Sequence, residues 1–296
     1  MIKSLHSRSH RREASRLNIR ISADSTCDLS PELLQKYSIA VLPMYVTRDG
    51  EALRDGSEIT PPELFASIDR GCTCGTASAS VGDYMDFYAA MLEGHDAVLH
   101  FTVSSCMSSC YQNAVQAALE FPGRVYPVDA KNLSSAIGLL AIRARELADE
   151  GMEPYQISDA MNALREKLDA SFVLDTLHYL HKGGRCSGLA ALGANLLQLK
   201  PCIEVVDGQM QVGRKYRGRL LKCQTAYIRD RLTGRDDPDY RRIFCTGTVL
   251  SDETKQALRE VIASTGPWEE ILFTEAGCTI ASHCGPQCMG VLFFRK

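Results

Sequence analysis

Two short segments carry a high density of hydroxyl groups. Gly75-Thr76-Ala77-Ser78-Ala79-Ser80 precedes a predicted helix. Ser104-Ser105-Cys106-Met107-Ser108-Ser109 lies between an apolar strand and another helix. Hydroxyls and unpaired backbone N–H groups at a helix start suit an anion, because the dipole and the free donors point the same way. Ser and Thr are also the usual N-caps, so either segment alone reads equally well as capping. A third group is Lys182-Gly183-Gly184-Arg185. Its glycines permit a tight turn, and Arg185 brings a rigid fork of donors for an anion. The same residues also read as a helix C-cap followed by a surface arginine. His283, Cys284 and Cys288 form a fourth group. They lack the paired C-x2-C spacing of a structural zinc site and read as thiols with no metal.

The common catalytic signatures are missing. There is no G-x4-G-K-[ST] loop for a nucleotide, no G-x-G-x-x-G after the first strand, no G-x-S-x-G elbow and no H-E-x-x-H. Ser108 with a distant His283 leaves a hydrolase or acyltransferase as the enzymatic alternative.

These groups need elements to hold them. Ile19–Ala23 alternates as a strand, Ser30-Pro31 opens a helix, and Val41–Val46 reads as a second strand. Thr60-Pro61-Pro62-Glu63 is a capping box whose helix stops at Gly71. Ser80 opens a helix, 97–103 is a buried strand, Ser108 starts a helix to about Phe121, 125–128 is a strand, and 134–150 is a long helix. Strands alternating with helices predict a parallel sheet covered on both faces. After Gly151 the pattern changes. A helix over 157–168, a strand at 172–175, a small-residue helix over 189–197, an Asp207-Gly208 hairpin and strands at 241–249, 270–273 and 289–294 predict an α+β half with an antiparallel sheet. The expected division is a basic, disordered tail over 1–18, an α/β domain over 19–160 and an α+β domain over 161–296. The boundary is soft, within about 151–165.

The chain has 33 basic and 36 acidic residues, net −3, with 45% hydrophobic side chains. That balance argues against nucleic acid as a partner. No apolar run is long enough to span a bilayer. The basic run Arg214, Lys215, Arg217, Arg219 and Lys222 reads as a solvated face, or as a docking site for an acidic partner or anionic lipid. Twelve scattered cysteines without a signal peptide predict reduced thiols and a cytoplasmic location.

An ordered set of segments resembles the DegV family of bacterial fatty-acid-binding proteins. The set comprises Ala23-Asp24-Ser25-Thr26-Cys27-Asp28-Leu29, Val41–Val46, Asp55-Gly56, Thr76–Tyr84, Val103–Gln112, Asp175–Arg185 and His283-Cys284-Gly285-Pro286. The resemblance implies a two-domain carrier with an acyl chain buried between the domains and no cofactor beyond that ligand. It implies that Thr76 and Ser108 hold the carboxylate, with Ser105, Ser109, Arg185 and His283 near the head group. It further implies that a separate ATP-using kinase subunit phosphorylates the bound long-chain fatty acid. The acyl phosphate then passes to an acyltransferase of phospholipid synthesis, with transient contact at a membrane surface. Ala77 and Ala79 stand where the family has Ser and Pro, Ser109 where it has Gly, and Cys110 where it has Thr.

Overall fold

The computed structural model describes residues 17–187 and 199–296. Residues 1–16 of the tail expected over 1–18 and the helix expected over 189–197 lie outside the described residues, while Asn18 is fixed by hydrogen bonds to Asp96 and Gly94.

The first half runs through strands β1 (Ile19–Asp24), β2 (Ile39–Leu42), β3 (Tyr45–Arg48), β4 (Glu51–Arg54), β5 (Cys74–Ala77), β6 (Ala97–Thr102) and β7 (Val125–Asp129). Its helices are α1 (Pro31–Lys36), α2 (Pro61–Asp69), α3 (Val81–Met91), α4 (Cys110–Ala118), α5 (Ser135–Asp149) and α6 (Pro154–Leu164). Four strands form a parallel sheet in the order β2-β1-β6-β7. Every residue of β6 is buried, as expected for a strand covered on both faces. Strands β4-β3-β5 make a separate antiparallel sheet.

The second half contains β8 (Leu168–Val173), α7 (His178–Gly183), β9 (Cys186–Ser187), β10 (Leu199–Val206), β11 (Gln209–Arg217), α8 (Leu220–Leu232), β12 (Pro238–Gly247), α9 (Asp252–Ala263), β13 (Glu270–Glu275), α10 (Cys278–Cys284) and β14 (Met289–Arg295). Seven strands pair in the order β13-β12-β14-β8-β10-β11-β9. The four central pairings are antiparallel and the two outer ones, β13/β12 and β11/β9, are parallel.

Helix α5 joins the halves. It touches β1 and β6 of the parallel sheet and β8, β12 and β14 of the large sheet. Eleven of its residues are therefore buried, from Ser135 to Ala148; such all-round burial marks a helix enclosed on every side. At Gly138 a Cβ would come within 2.5 Å of Leu29 Cδ2, so this position needs its glycine for close packing.

Several boundaries differ from the expectations. The strand expected over 41–46 is two strands, because Pro43 interrupts it: β2 joins the parallel sheet and β3 turns away into the small one. Thr76 sits on β5 rather than in a loop. Helix α4 begins at Cys110 with Ser109 as its N-cap, so Ser108 lies just outside it. Strand β8 begins at Leu168, where a longer helix was expected. The basic run ends inside α8, and α10 carried no obvious sequence signal.

Candidate functional site

Strands β1 and β6 end on the same side of the parallel sheet, where such folds leave a crevice. The segment after β1 brings Thr26, and the segment after β6 brings Val103, Met107 and Ser108. Together with Met44, Thr76, Leu133, Arg185 and residues of α10 they line a cavity. A second, smaller cavity shares Leu133, Ile280 and Cys284 with the first and is lined further by residues of β8, β12 and β14. The exposed wall area is mainly apolar; the imidazole of His283, Arg185 and the hydroxyls of Thr76 and Ser108 belong to the first cavity, while Ser134, Ser171, Thr246 and Thr248 line the second.

The polar groups of the first cavity draw on both halves. Thr76 Oγ1 lies 3.0 Å from His283 Nε2. Register fixes Thr76, which stands opposite Val46 in the β3/β5 pair. Nearby hydroxyls are otherwise engaged: Ser80 and Asp83 cap α3 reciprocally, with Ser80 N donating to Asp83 at 2.7 Å and Asp83 N to Ser80 Oγ at 3.1 Å. Ser108 Oγ lies 3.0 Å from Cys110 Sγ and faces the cavity. Burial pushes the Cys110 thiol up to about 12, so it stays protonated. His283 is pulled down to about 4, first by burial and then by the Arg185 charge, so its ring is neutral near pH 7. Its Nδ1 is buried without a hydrogen-bond partner, as are the hydroxyls of Thr26 and Thr279.

The expected head-group residues separate into two sets. Thr76, Ser108, Arg185 and His283 meet around the cavity. Ser109 stands outside its lining and joins the two hydroxyl-rich segments, its Oγ 2.8 Å from Ser78 Oγ. Ser109 has φ −79°, so glycine is not required at that position. Ser105 is not brought to the cavity: its hydroxyl donates to Asp129 at 2.6 Å and its amide to the same carboxylate. Gly184, with φ +66°, caps α7, and Arg185 follows at the cavity mouth, donating to Gly183 O at 2.7 Å. The helix-cap reading of that segment is what the backbone shows, and Arg185 also lines the cavity.

Sequence reasoning overlooked Thr26, Met44, Leu133, Thr279 and Ile280. Thr26 had a usable signal, since it follows the C-terminal end of the first parallel strand. The α10 residues had none.

The hydrolase alternative needs Ser108 beside His283; among the described residues His283 instead faces Thr76, Ser108 pairs with Cys110, and no hydrogen bond reaches His283 Nδ1. A Ser–His–Asp row does exist. Ser22 Oγ lies 2.9 Å from His100 Nδ1, and Asp24 lies 3.1 Å from His100 Nε2. All three are fully buried and none lines the cavity. Asp24 also accepts from Tyr84 OH and Val103 N, so the row anchors the segment leading to Ser108.

A family model described as "Uncharacterised protein, DegV family" matches residues 18–296. The chain belongs to the DegV family. A DegV domain-containing protein of Deinococcus radiodurans is 30% identical over 93% of this chain and 98% of its own length. Among solved structures, a DegV family protein from Thermus thermophilus described as fatty-acid binding superposes with a TM-score of 0.84. It has 33% identity and covers 95% of this chain and 100% of that one. A DegV lipid-binding protein from Thermotoga maritima gives 0.83 at 27% identity, covering 94% and 99%. Among the described residues no helix is long and apolar enough to cross a membrane.

Proposed function

We propose that this DegV protein binds a long-chain fatty acid in these adjoining cavities and holds its carboxylate beside Thr76, Ser108 and His283. The observation that carries the reading is a pair of neighbouring, mainly apolar cavities that share Leu133, Ile280 and Cys284 in their linings, the first with Thr76, Ser108 and His283 in its wall. The DegV proteins of Thermus thermophilus and Thermotoga maritima, described as binding fatty acid and lipid, support it. At about 0.8 kcal/mol per CH2, roughly fifteen methylenes offer on the order of 12 kcal/mol of gross transfer energy. Immobilising the lipid offsets much of that.

The chain lacks a nucleotide-binding motif, so any phosphorylation of the carboxylate falls to a separate ATP-using kinase subunit. In this reading the protein presents its lipid in the cytoplasm, with Arg185 at the mouth to meet a phosphoryl group bidentately. The acyl phosphate product passes to an acyltransferase, with transient contact at the membrane surface.

Native mass spectrometry of the purified chain tests the binding. One noncovalent fatty acid per chain is expected, released on denaturation. A chain that carries none and takes up none from mixed fatty acids overturns the reading. Adding ATP and the kinase subunit from the same cell tests the second step: acyl phosphate must appear only with both proteins present.

A further inference from the structure

We infer that Asp28 and Asp55, both in the first half of the chain, form a two-carboxylate clasp that seats α10 and so sets His283 against Thr76. They are positioning residues for the head-group end of the cavity, and the inference rests on the lipid reading above.

Helix α10 has seven residues, too few to persist without outside support. Its N-cap is Gly277, which offers no side chain. Its first three amides go instead to the clasp. Gly277 N donates to Asp28 Oδ1 at 2.8 Å, Cys278 N to Asp55 Oδ1 at 2.7 Å, and Thr279 N to Asp55 Oδ2 at 3.0 Å. More than two hundred residues separate these partners in sequence, so no local rule places them together. Both carboxylates are 5% exposed. Ser134 Oγ, at the start of α5, donates to the other Asp28 oxygen. Ser25 Oγ donates to Asp55, and Met44 N donates to Ser25 Oγ. The clasp is thus fixed to the end of β1 and to α5.

At its far end α10 is held by its own half, where Thr248 Oγ1 donates to Gly285 O. Between these anchors, Thr279, Ile280, His283 and Cys284 face the cavity. His283 is one turn beyond Thr279, so a shift at the clasp is carried to the imidazole by a rigid element. Burial, together with the nearby Asp55 charge, holds the Asp28 carboxyl well above its usual range. A protonated Asp28 keeps both contacts, because its second oxygen can donate to Ser134 as well as accept.

The test uses the full chain as wild type, Asp55→Asn, Thr76→Val and the double variant. An amide at position 55 turns a donor against one of the α10 amides. The readouts are the His283 ring resonance and the release rate of an anthroyloxy-labelled palmitic acid. Asp55→Asn should move the resonance and speed release about tenfold, the order expected for losing a hydrogen bond to a charged group. Because the clasp acts through the Thr76 contact, the double variant should release no faster than the faster single variant. An unmoved resonance, or rates that multiply, would overturn the inference. If Asp55→Asn does not fold, hydrogen exchange of the wild type decides. The Cys278 and Thr279 amides must be protected while lipid is bound, and free exchange there sinks the clasp. A wild type that takes up no labelled lipid refutes the lipid reading alone, and the His283 resonance still decides the clasp.

Discussion

The hydroxyl of Thr76 and the imidazole of His283 meet at 3.0 Å although 207 residues separate them. One is delivered by a strand of the small sheet, the other by a helix of the second half. This polar part of the cavity exists only when both halves are folded and docked. A neutral imidazole is the form that suits this buried place, and this leads to a pH dependence.

His283 is held near 4 against an ordinary value of 6.5. The unfolded chain therefore takes up the proton first as pH falls. The His283 contribution to stability is complete above about pH 6.5 and is lost steadily down to about pH 4. Titration of the ring resonance should give a midpoint near 4, and unfolding midpoints should fall across the same window. A His283 midpoint between 6 and 7 would contradict the burial argument.

Removing the two cavity hydroxyls should weaken the head group without unfolding the chain. Thr76→Val and Ser108→Ala are each expected to cost about 1–2 kcal/mol of fatty-acid affinity, as for a hydrogen bond to a charged acceptor. Competition against a labelled fatty acid measures this. Unchanged affinity in the double variant would move the carboxylate elsewhere.

Adjacent glycines should behave differently. A Cβ at Gly183 would lie 2.0 Å from His283 Nδ1, whereas at Gly184 it would meet nothing within 4 Å. Gly183→Ala should displace the imidazole and release lipid. Gly184→Ala should lower stability by about 1 kcal/mol through its left-handed backbone and leave binding intact. Melting curves and lipid content on the two variants separate strain from site damage.

Arg185 is exposed and its recorded hydrogen bond is to Gly183 O, two residues away. Arg185→Ala should leave both the melting temperature and the co-purified lipid in place while slowing kinase-dependent phosphorylation. A normal rate removes Arg185 from the transfer step. A melting temperature that falls with the rate assigns it a structural part instead.

The alternation of strands and helices in the first half was legible because each element carries its own cap or apolar run: Ser30-Pro31, the Thr60/Glu63 box and the buried 97–102 strand. The two hydroxyl-rich segments were legible, since hydroxyl density is a local property, while the choice of Thr76 and Ser108 within them came from the resemblance to the DegV family. Ser105 was legible only as a candidate, because its partner Asp129 is known once β7 is placed. Helix α10 was hidden because its capping carboxylates come from residues 28 and 55, and no window of sequence holds both. The break at Pro43 was visible as a proline, but the transfer of the next strand to another sheet is a tertiary outcome.

Strand β14 is the last element of the chain, yet it lies inside the seven-stranded sheet, between β12 and β8. Until it is in place, β13-β12 and β8-β10-β11-β9 are two fragments, each with an open edge facing the gap. Unpaired edges of this kind invite pairing with other chains. A chain cut before Met289 is therefore expected to aggregate, which light scattering of the truncated product would show. Strand β14 is thus the seam that closes both open edges of the large sheet.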